Sequence, residues 1–349
     1  MSILIFSPYS GVGGGKAVQL NFSLMIEAAW LDNVNSISRI GKFIFELLKN
    51  INSTQLIFIQ SIFNPKSFFI LLVVSFLGFR NRVVMVPRGD RIPTSIFDCK
   101  IKNPSKKFIY WLIVRKIYKN LFFLFSSSVE SEYFQNNSRV KIKESIILAD
   151  PYRPLKQLHD RRTYKIFPKK IVFLGRVDFE KNIKFLFDIF KTGMFYKKNI
   201  ELSIVGPISS YMEPEIKLLL SEASGEMLAS IKFYGEIQGV EEKMNLIKDA
   251  IVCLPSHYES FGLVCLEAIE AGSYFISTNE SYWKNIHEEF GVGIELDEKL
   301  WLKRIDSLIG EGYLVDYAKR SMFLNRFNPI ILAKILRQNA SSVFKVASK

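Results

Sequence analysis

The amino-acid sequence predicts an α/β fold of two domains, and three observations carry the prediction. Short β-like runs alternate with helical runs along most of the 349 residues, a rhythm that argues for helices layered on parallel sheets. A proline-rich, charged stretch at 149–168 (ADPYRPLKQLHDRRTYKIFP) breaks the rhythm, which then restarts. The length suits two domains of ordinary size, each with a core of its own.

In the first half, 2–7 reads as a strand and 16–31 as a helix with an apolar face at Val18, Phe22, Met25, Ile26 and Ala29. A strand follows at 55–60, a buried helix at 65–78, and a strand at 82–86 that ends in the loop PRGD (87–90). A basic, aromatic helix is predicted at 105–119, a strand at 120–125, and a short helix at 127–134 capped by Ser126 or Ser127. In the second half, strands are predicted at 170–174, 200–205, 231–234, 250–254 and 273–277. Helices are predicted at 182–191, 213–224, 240–248 and 262–271, with a mostly helical tail from Asp297.

Composition removes several function classes. The chain is 48% hydrophobic, with a mean hydropathy of +0.13. Its longest apolar run, 68–79, has 12 residues, short of the roughly 18–20 a membrane span needs, and so reads as a buried helix. The start has no basic segment ahead of its apolar run, so no signal peptide is expected. Cys99, Cys253 and Cys265 have no metal-ligand spacing, and no His stands near a Cys or another His at ligand spacing, so no metal site is expected. Buried thiols of this kind fit a reducing cytoplasm. The net charge is +13, and it is uneven: residues 1–150 hold 19 Lys/Arg against 9 Asp/Glu. Such an excess suggests a partner for the first half: nucleic acid, an anionic membrane or an acidic substrate.

Three segments carry chemistry. GVGGGK (11–16) follows the first strand. It fails the P-loop pattern, with Ser10 for the first glycine and Ala17 for the hydroxyl, and it fails GxGxxG. It is either a plain turn or a loop whose glycines let backbone N–H groups approach an anion. In FLGRVDFEKN (173–182), Arg176 and Lys181 follow a strand; they are placed to hold a diphosphate, or they are solvated surface charges. In HYESFGLVCLEAIEAG (257–272), a strand delivers the chain to Glu259 and a helix begins near Gly262. Leu263, Val264 and Glu267 then share one helical sector. A phosphate at the helix start would leave Glu267 within reach of an attached ribose, and the plainer reading of Glu267 is a surface carboxylate.

The pair GR-x4-K and ESFGL-x3-E resembles the retaining nucleotide-sugar glycosyltransferases of family four (glycosyltransferase group 1), which have the GT-B fold. The resemblance covers about 170–290 element by element, through GRVDFEKN, SIVGP, IKFYGEI and AIVCLPSHYESFGLVCLEAIEAG. The first half matches more loosely, through its glycine-rich loop, its PRG loop and FLFSSSVESE. The resemblance implies two Rossmann-like domains facing a central cleft. The acceptor domain would span 1–155, with a helix at about 328–349 packed back on it, and the nucleotide-sugar domain would span 165–327. It implies that Arg176 and Lys181 bind the donor diphosphate and that Glu259 contacts the donor sugar, as nucleophile or as electrostatic stabiliser. Glu267 would hold the ribose, and backbone around Ser260, Phe261, Gly262, Leu263 and Val264 would cap sugar and phosphate. Gly206, Gly235 and Ile237 would line the base, and Gly13 and Gly14 would face the cleft. No cofactor or metal is implied beyond the nucleotide-sugar substrate.

One departure stands out. Many members of that family have a first-domain histidine at the donor sugar, whereas His159, His257 and His287 all lie in or after the linker. Arg88 of the PRG loop stands near that place, as a substitute contact or as an acceptor-phosphate ligand; a structural role is the other reading. The stretch 102–120 (KNPSKKFIYWLIVRKIYKN), with Lys106 and Lys107, mixes cations and rings. It reads either as an interfacial helix on anionic lipid or as a packed helix with a basic face. No nucleic-acid-binding motif is present, and nucleic acid is not expected as a partner.

The expected activity is hexosyl transfer from a nucleotide-sugar to a lipid-linked or other glycan acceptor. The setting would be bacterial surface polysaccharide (O-antigen, capsule or lipopolysaccharide), with the enzyme cytoplasmic and peripheral on the inner membrane face. The alternatives are a GT-B sugar-nucleotide epimerase, against which ESFGL-x3-E counts, and a non-catalytic nucleotide-sugar-binding member. Intact Arg176, Lys181, Glu259 and Glu267 count against the latter.

Overall fold

The computed structural model describes residues 2–8, 14–30, 33–61, 64–88, 121–138, 142, 144–154, 163–192, 194–279, 281–286 and 288–343. The chain divides into two compact units: Met1–Arg153 with Arg326–Lys349, and Pro154–Asn325.

The first unit is built on β1 (Ser2–Phe6), β2 (Asn33–Ile37), β3 (Thr54–Gln60), β4 (Val83–Val86), β5 (Phe122–Phe125) and β6 (Glu144–Ile147). They form one sheet of order β2-β1-β3-β4-β5-β6, parallel throughout. A parallel sheet is covered on both faces, so its inner strands read as continuous apolar runs. Along β1, Ile3 and Ile5 join one core while Leu4 and Phe6 join the other. Over the first face lie α1 (Gly14–Trp30) and the C-terminal helix Pro329–Val343, whose Leu332, Ala333 and Leu336 meet Phe22, Met25 and Ile26. Over the second lie α2 (Ile40–Lys49), α3 (Pro65–Phe76) and α4 (Ser128–Ser138). Ser127 caps α4 by accepting from Glu130 N–H at 3.0 Å, and the Glu130 carboxylate reaches back to Ser126 N–H at 2.7 Å.

The second unit holds β8 (Lys170–Leu174), β9 (Glu201–Val205), β10 (Ile231–Gly235), β11 (Ile251–Leu254), β12 (Tyr274–Thr278) and β13 (Gly291–Ile294). Their order is β10-β9-β8-β11-β12-β13, again all parallel. This is the doubly wound arrangement in which strand order reverses between β8 and β11. Helices α5 (Ile183–Lys191), α6 (Glu213–Ser221), α7 (Gly225–Ala229), α8 (Val240–Ile247), α9 (Leu263–Glu270), α10 (Glu298–Glu311) and α11 (Tyr317–Asn325) complete it.

Several expectations need correction. β2, α2 and β6 went unpredicted: NVNSI and ESII are short, polar edge strands whose one-sided burial leaves little apolar signal. Thr163–Ile166, inside the stretch read as linker, is a strand, β7, paired antiparallel with β14 (Tyr313–Asp316). Arg80–Arg82 forms a 3-10 turn, so β4 begins one residue later than expected. The helix read as buried, α3, is buried on one side only: Ile70, Leu71 and Val74 are inside, while Phe69, Leu72 and Phe76 are exposed. The predicted helix at 105–119 lies outside the described residues.

Candidate active site

The site is assembled where strands of the second unit end. β8, β9 and β10 each finish at a glycine of positive φ: Gly175 (+142°), Gly206 (+139°) and Gly235 (+62°). At Gly206 a side chain has no place, because a Cβ there would lie 2.0 Å from the Gly175 carbonyl oxygen. Backbone stitches the three ends together, Gly175 N–H donating to Val205 O at 2.8 Å and Gly206 N–H to Gly235 O at 2.7 Å. The result is a side-chain-free edge onto which a flat group can be laid.

Beyond Gly175 the chain turns around Asp178, whose side chain is 3% exposed. One of its oxygens accepts from Arg176 Nε at 2.7 Å and the other from Lys181 N–H at 3.2 Å. Asp178 thereby fixes both cations: it caps the turn Phe179–Lys181 and holds the Arg176 stem, while Arg176 stays 65% exposed. Asn182, at φ +50°, then starts α5.

Lys181 points across the switch point. Its Nζ lies 2.5 Å from Glu259 Oε2, and Ser256 Oγ is 3.4 Å from the same oxygen. The main chain makes the same crossing, His257 N–H donating to Glu180 O at 2.8 Å. Side chains from the ends of β8 and β11 thus meet in the crevice where doubly wound sheets bind ligands. Gly262, at φ +77°, opens α9, and its absent Cβ leaves room for Glu259 Cγ and Trp283 Nε1, each of which would be 3.0 Å away. Trp283 Nε1 donates to Gly262 O at 3.2 Å, and Phe261 is buried with its ring 4.8 Å from that of Tyr282. The loop carrying Glu259, Ser260 and Phe261 is therefore fastened to the 282–285 turn.

Glu267 lies in α9 beyond Leu263 and Val264, and its carboxylate accepts from Lys243 Nζ of α8. Lys243 is a site residue that sequence reasoning missed, because a lone lysine on an amphipathic helix has no spacing signal. Asp178 was missed as well, although its place three residues ahead of Lys181 is that of a turn cap. Site charges are balanced in pairs: Arg176 with Asp178, Lys181 with Glu259, Lys243 with Glu267. Beneath them, burial and the nearby Glu259 carboxylate push the Cys265 thiol well above its usual range.

Of the other predicted residues, Gly206, Gly235 and half-buried Ile237 stand at or just past the ends of β9 and β10. Gly14 is the first residue of α1, and the first unit's strand order reverses between β1 and β3. Arg88, at φ +51°, packs within the first unit: its guanidinium lies 4.3 Å over the Phe22 ring and 3.5 Å from Asp150. Gly13, Lys106 and Lys107 lie outside the described residues. Among the described residues no group of three or more His, Cys, Asp and Glu is arranged to hold a metal ion.

This geometry has known counterparts. Residues 159–313 match the family model of glycosyl transferases group 1. The matched stretch lies within the second unit. Among solved structures, Alr3699/HepE from Anabaena in complex with UDP-glucose is similar at 12% identity and a TM-score of 0.67, covering 98% of this chain and 100% of that one. Sucrose-phosphate synthase from Thermosynechococcus elongatus is similar at 16% identity and a TM-score of 0.67, covering 99% of each chain. The lipopolysaccharide outer core galactosyltransferase WaaB, in its apo form, is similar at 16% identity and a TM-score of 0.60, covering 99% of this chain and 100% of that one. Among curated protein sequences none matches this chain. The fold is GT-B, and the match to glycosyl transferases group 1 supports a transferase enzyme.

Proposed function

We propose that the protein is a retaining glycosyltransferase of family four. In this reading it moves a sugar from a nucleotide-sugar donor to a lipid-linked or other glycan acceptor in bacterial surface polysaccharide synthesis. The Lys181–Glu259 pair at the switch point, beside the opening of α9, is the observation that carries the reading. The similar structure of Alr3699/HepE, solved with UDP and with UDP-glucose, and that of the apo lipopolysaccharide galactosyltransferase support it at the level of chemistry.

The nucleotide diphosphate lies over the Gly175–Gly206 edge, against Arg176 and the start of α9. As the bond between the anomeric carbon and the diphosphate oxygen breaks, charge grows on that oxygen and an oxocarbenium-like centre forms on the sugar. Arg176, Lys181 and the helix N–H groups act where the negative charge develops; one such donor is worth about 3 kcal/mol of barrier. A phosphate that draws Lys181 toward itself releases Glu259 to face the positive sugar carbon. Glu267 exchanges part of its bond with Lys243 for the ribose hydroxyls. These side chains supply the charge neutralisation, so the reading calls for no metal and no resident cofactor. The acceptor is taken by the first unit, and the protein works in the cytoplasm against the anionic inner face of the membrane, where the cations and rings of 102–120 suit it.

The test is a thermal-shift screen against UDP-, GDP-, ADP- and dTDP-sugars in EDTA. A ligand held only by the native state at 100 times its Kd adds about 2.7 kcal/mol. A rise with one nucleotide, lost in Arg176→Ala, is the expected result. No rise with any donor at millimolar concentration overturns the donor site, and a rise that needs added magnesium overturns the metal-free part.

A further inference from the structure

Between Lys66 and Ser75, α3 has one polar residue, Ser67, which is buried and donates to Gln60 O at 2.7 Å; the rest of the run, FFILLVV, is apolar. A helix apolar all round is normally buried all round. Here Ser67, Ile70, Leu71 and Val74 are buried, while Lys66, Phe69, Leu72 and Phe76 are exposed at helical spacing, Phe76 to 92%. The adjacent α2 packs on the same sheet face and presents Phe45 (63% exposed) and Leu48 (49%) outward. Three phenylalanines and two leucines thus stand on the solvent side of one helical layer, and contiguous apolar surface of this kind marks an interaction site.

The charge around the layer indicates what covers it. Lys42, Lys49 and Lys66 are exposed among the apolar side chains. Between residues 33 and 87 there are six Lys/Arg and one acidic residue, Glu46, whose carboxylate receives the Asn50 side-chain amide. A second copy of the same basic face would bring like charges together. An anionic bilayer takes the rings at headgroup depth and the ammonium groups at its phosphates. Neither helix is a span: α3 has 12 residues, and among the described residues no helix is long and apolar enough to cross a membrane.

We propose that the outer face of α2 and α3 is a lipid-docking surface of the first unit, with Phe45, Phe69 and Phe76 entering the interface of an anionic leaflet. The inference rests on the membrane-surface part of the proposed function and names a place for that contact in addition to 102–120.

The experiment is co-sedimentation of the full chain with vesicles of phosphatidylglycerol and phosphatidylcholine, beside vesicles of phosphatidylcholine alone. Wild type is expected to bind the anionic vesicles, and Phe69→Ser/Phe76→Ser to bind at least about tenfold more weakly with an unchanged melting temperature. Phe76→Trp, a mild change at an open position, is expected to shift its emission to the blue when anionic vesicles are added. Serine variants that bind as well as wild type, together with loss of binding in Lys106→Ala/Lys107→Ala, overturn this face and leave the membrane reading standing. A Phe76→Trp spectrum that vesicles do not move also overturns it. Wild type that binds no vesicle overturns both. A wild-type dimer that becomes monomeric in Phe69→Ser/Phe76→Ser, with vesicle binding unchanged, overturns it in favour of a second copy of the chain.

Discussion

A single methyl group at position 206 separates two kinds of glycine in the site. Gly206 and Gly235 both have positive φ, but only Gly206 has a neighbouring carbonyl oxygen where its Cβ would go. Gly235→Ala therefore meets only the backbone penalty, about 1–2 kcal/mol. Gly206→Ala adds a backbone clash that no rotamer relieves, and it should cost about 3 kcal/mol or more. Denaturant melts of the two variants measure the difference; equal losses would mean that the β8–β9 ends can part without strain. Under the proposed function, Arg176 and Glu267 act on ligand. Arg176 is 65% exposed, but its Nε satisfies the buried Asp178 carboxylate, so Arg176→Ala should cost about 1–3 kcal/mol of stability and lower turnover on the order of a hundredfold. Glu267→Ala should weaken donor binding about tenfold, read as a raised KM with a smaller change in kcat. Unchanged kinetics in both variants would remove them from the site.

The opening of α9 links the site's geometry to its chemistry. Gly262 sits between Glu259 and Trp283, so a side chain there pushes on the carboxylate and on the indole that anchors the loop. Gly262→Ala should therefore reduce kcat by an order of magnitude or more while the donor's thermal shift persists, because the cations and Glu267 stay in place. Stopped-flow or initial-rate assays beside the thermal shift decide it, and a normal kcat would show that Glu259 tolerates displacement. Glu259, Gly262, Arg176, Lys181 and Glu267 could be named as candidates from the sequence because GR-x4-K and ESFGL-x3-E, each at a strand end or helix start, resemble the motifs of a known family. Their partners were harder to read. Lys181 and Glu259 are 78 positions apart, and only the sheet order brings the end of β8 beside that of β11. Lys243 reaches Glu267 from a neighbouring helix for the same reason. In the fold, inner strands such as IVCL announced themselves, while edge strands such as NVNSI, polar on their open side, did not. The exposed side of α3 was invisible for the opposite reason: an apolar run reads as buried whether or not the chain has something to cover it.

Two units with separate cores should respond separately to damage, and each can be struck without touching the other. The core on the α1 side of the first unit is completed from the far end of the chain: Leu336 is 1% exposed and packs with Phe22, Met25 and Ile26 although more than three hundred residues separate them. Truncating a buried leucine to alanine costs about 2–5 kcal/mol. In a unit of this size that lowers its melting temperature on the order of 5–15 °C. Gly206 belongs entirely to the second unit, whose core is a distinct cluster. Scanning calorimetry should therefore resolve two transitions, since chains of several domains seldom melt as one. Leu336→Ala is expected to lower one transition and Gly206→Ala the other. A UDP-sugar that binds should raise only the transition moved by Gly206→Ala, which would assign the donor site to the second unit without any activity assay. If both substitutions lower the same single transition, the units fold as one cooperative body. The donor's stabilisation would then spread over the whole chain.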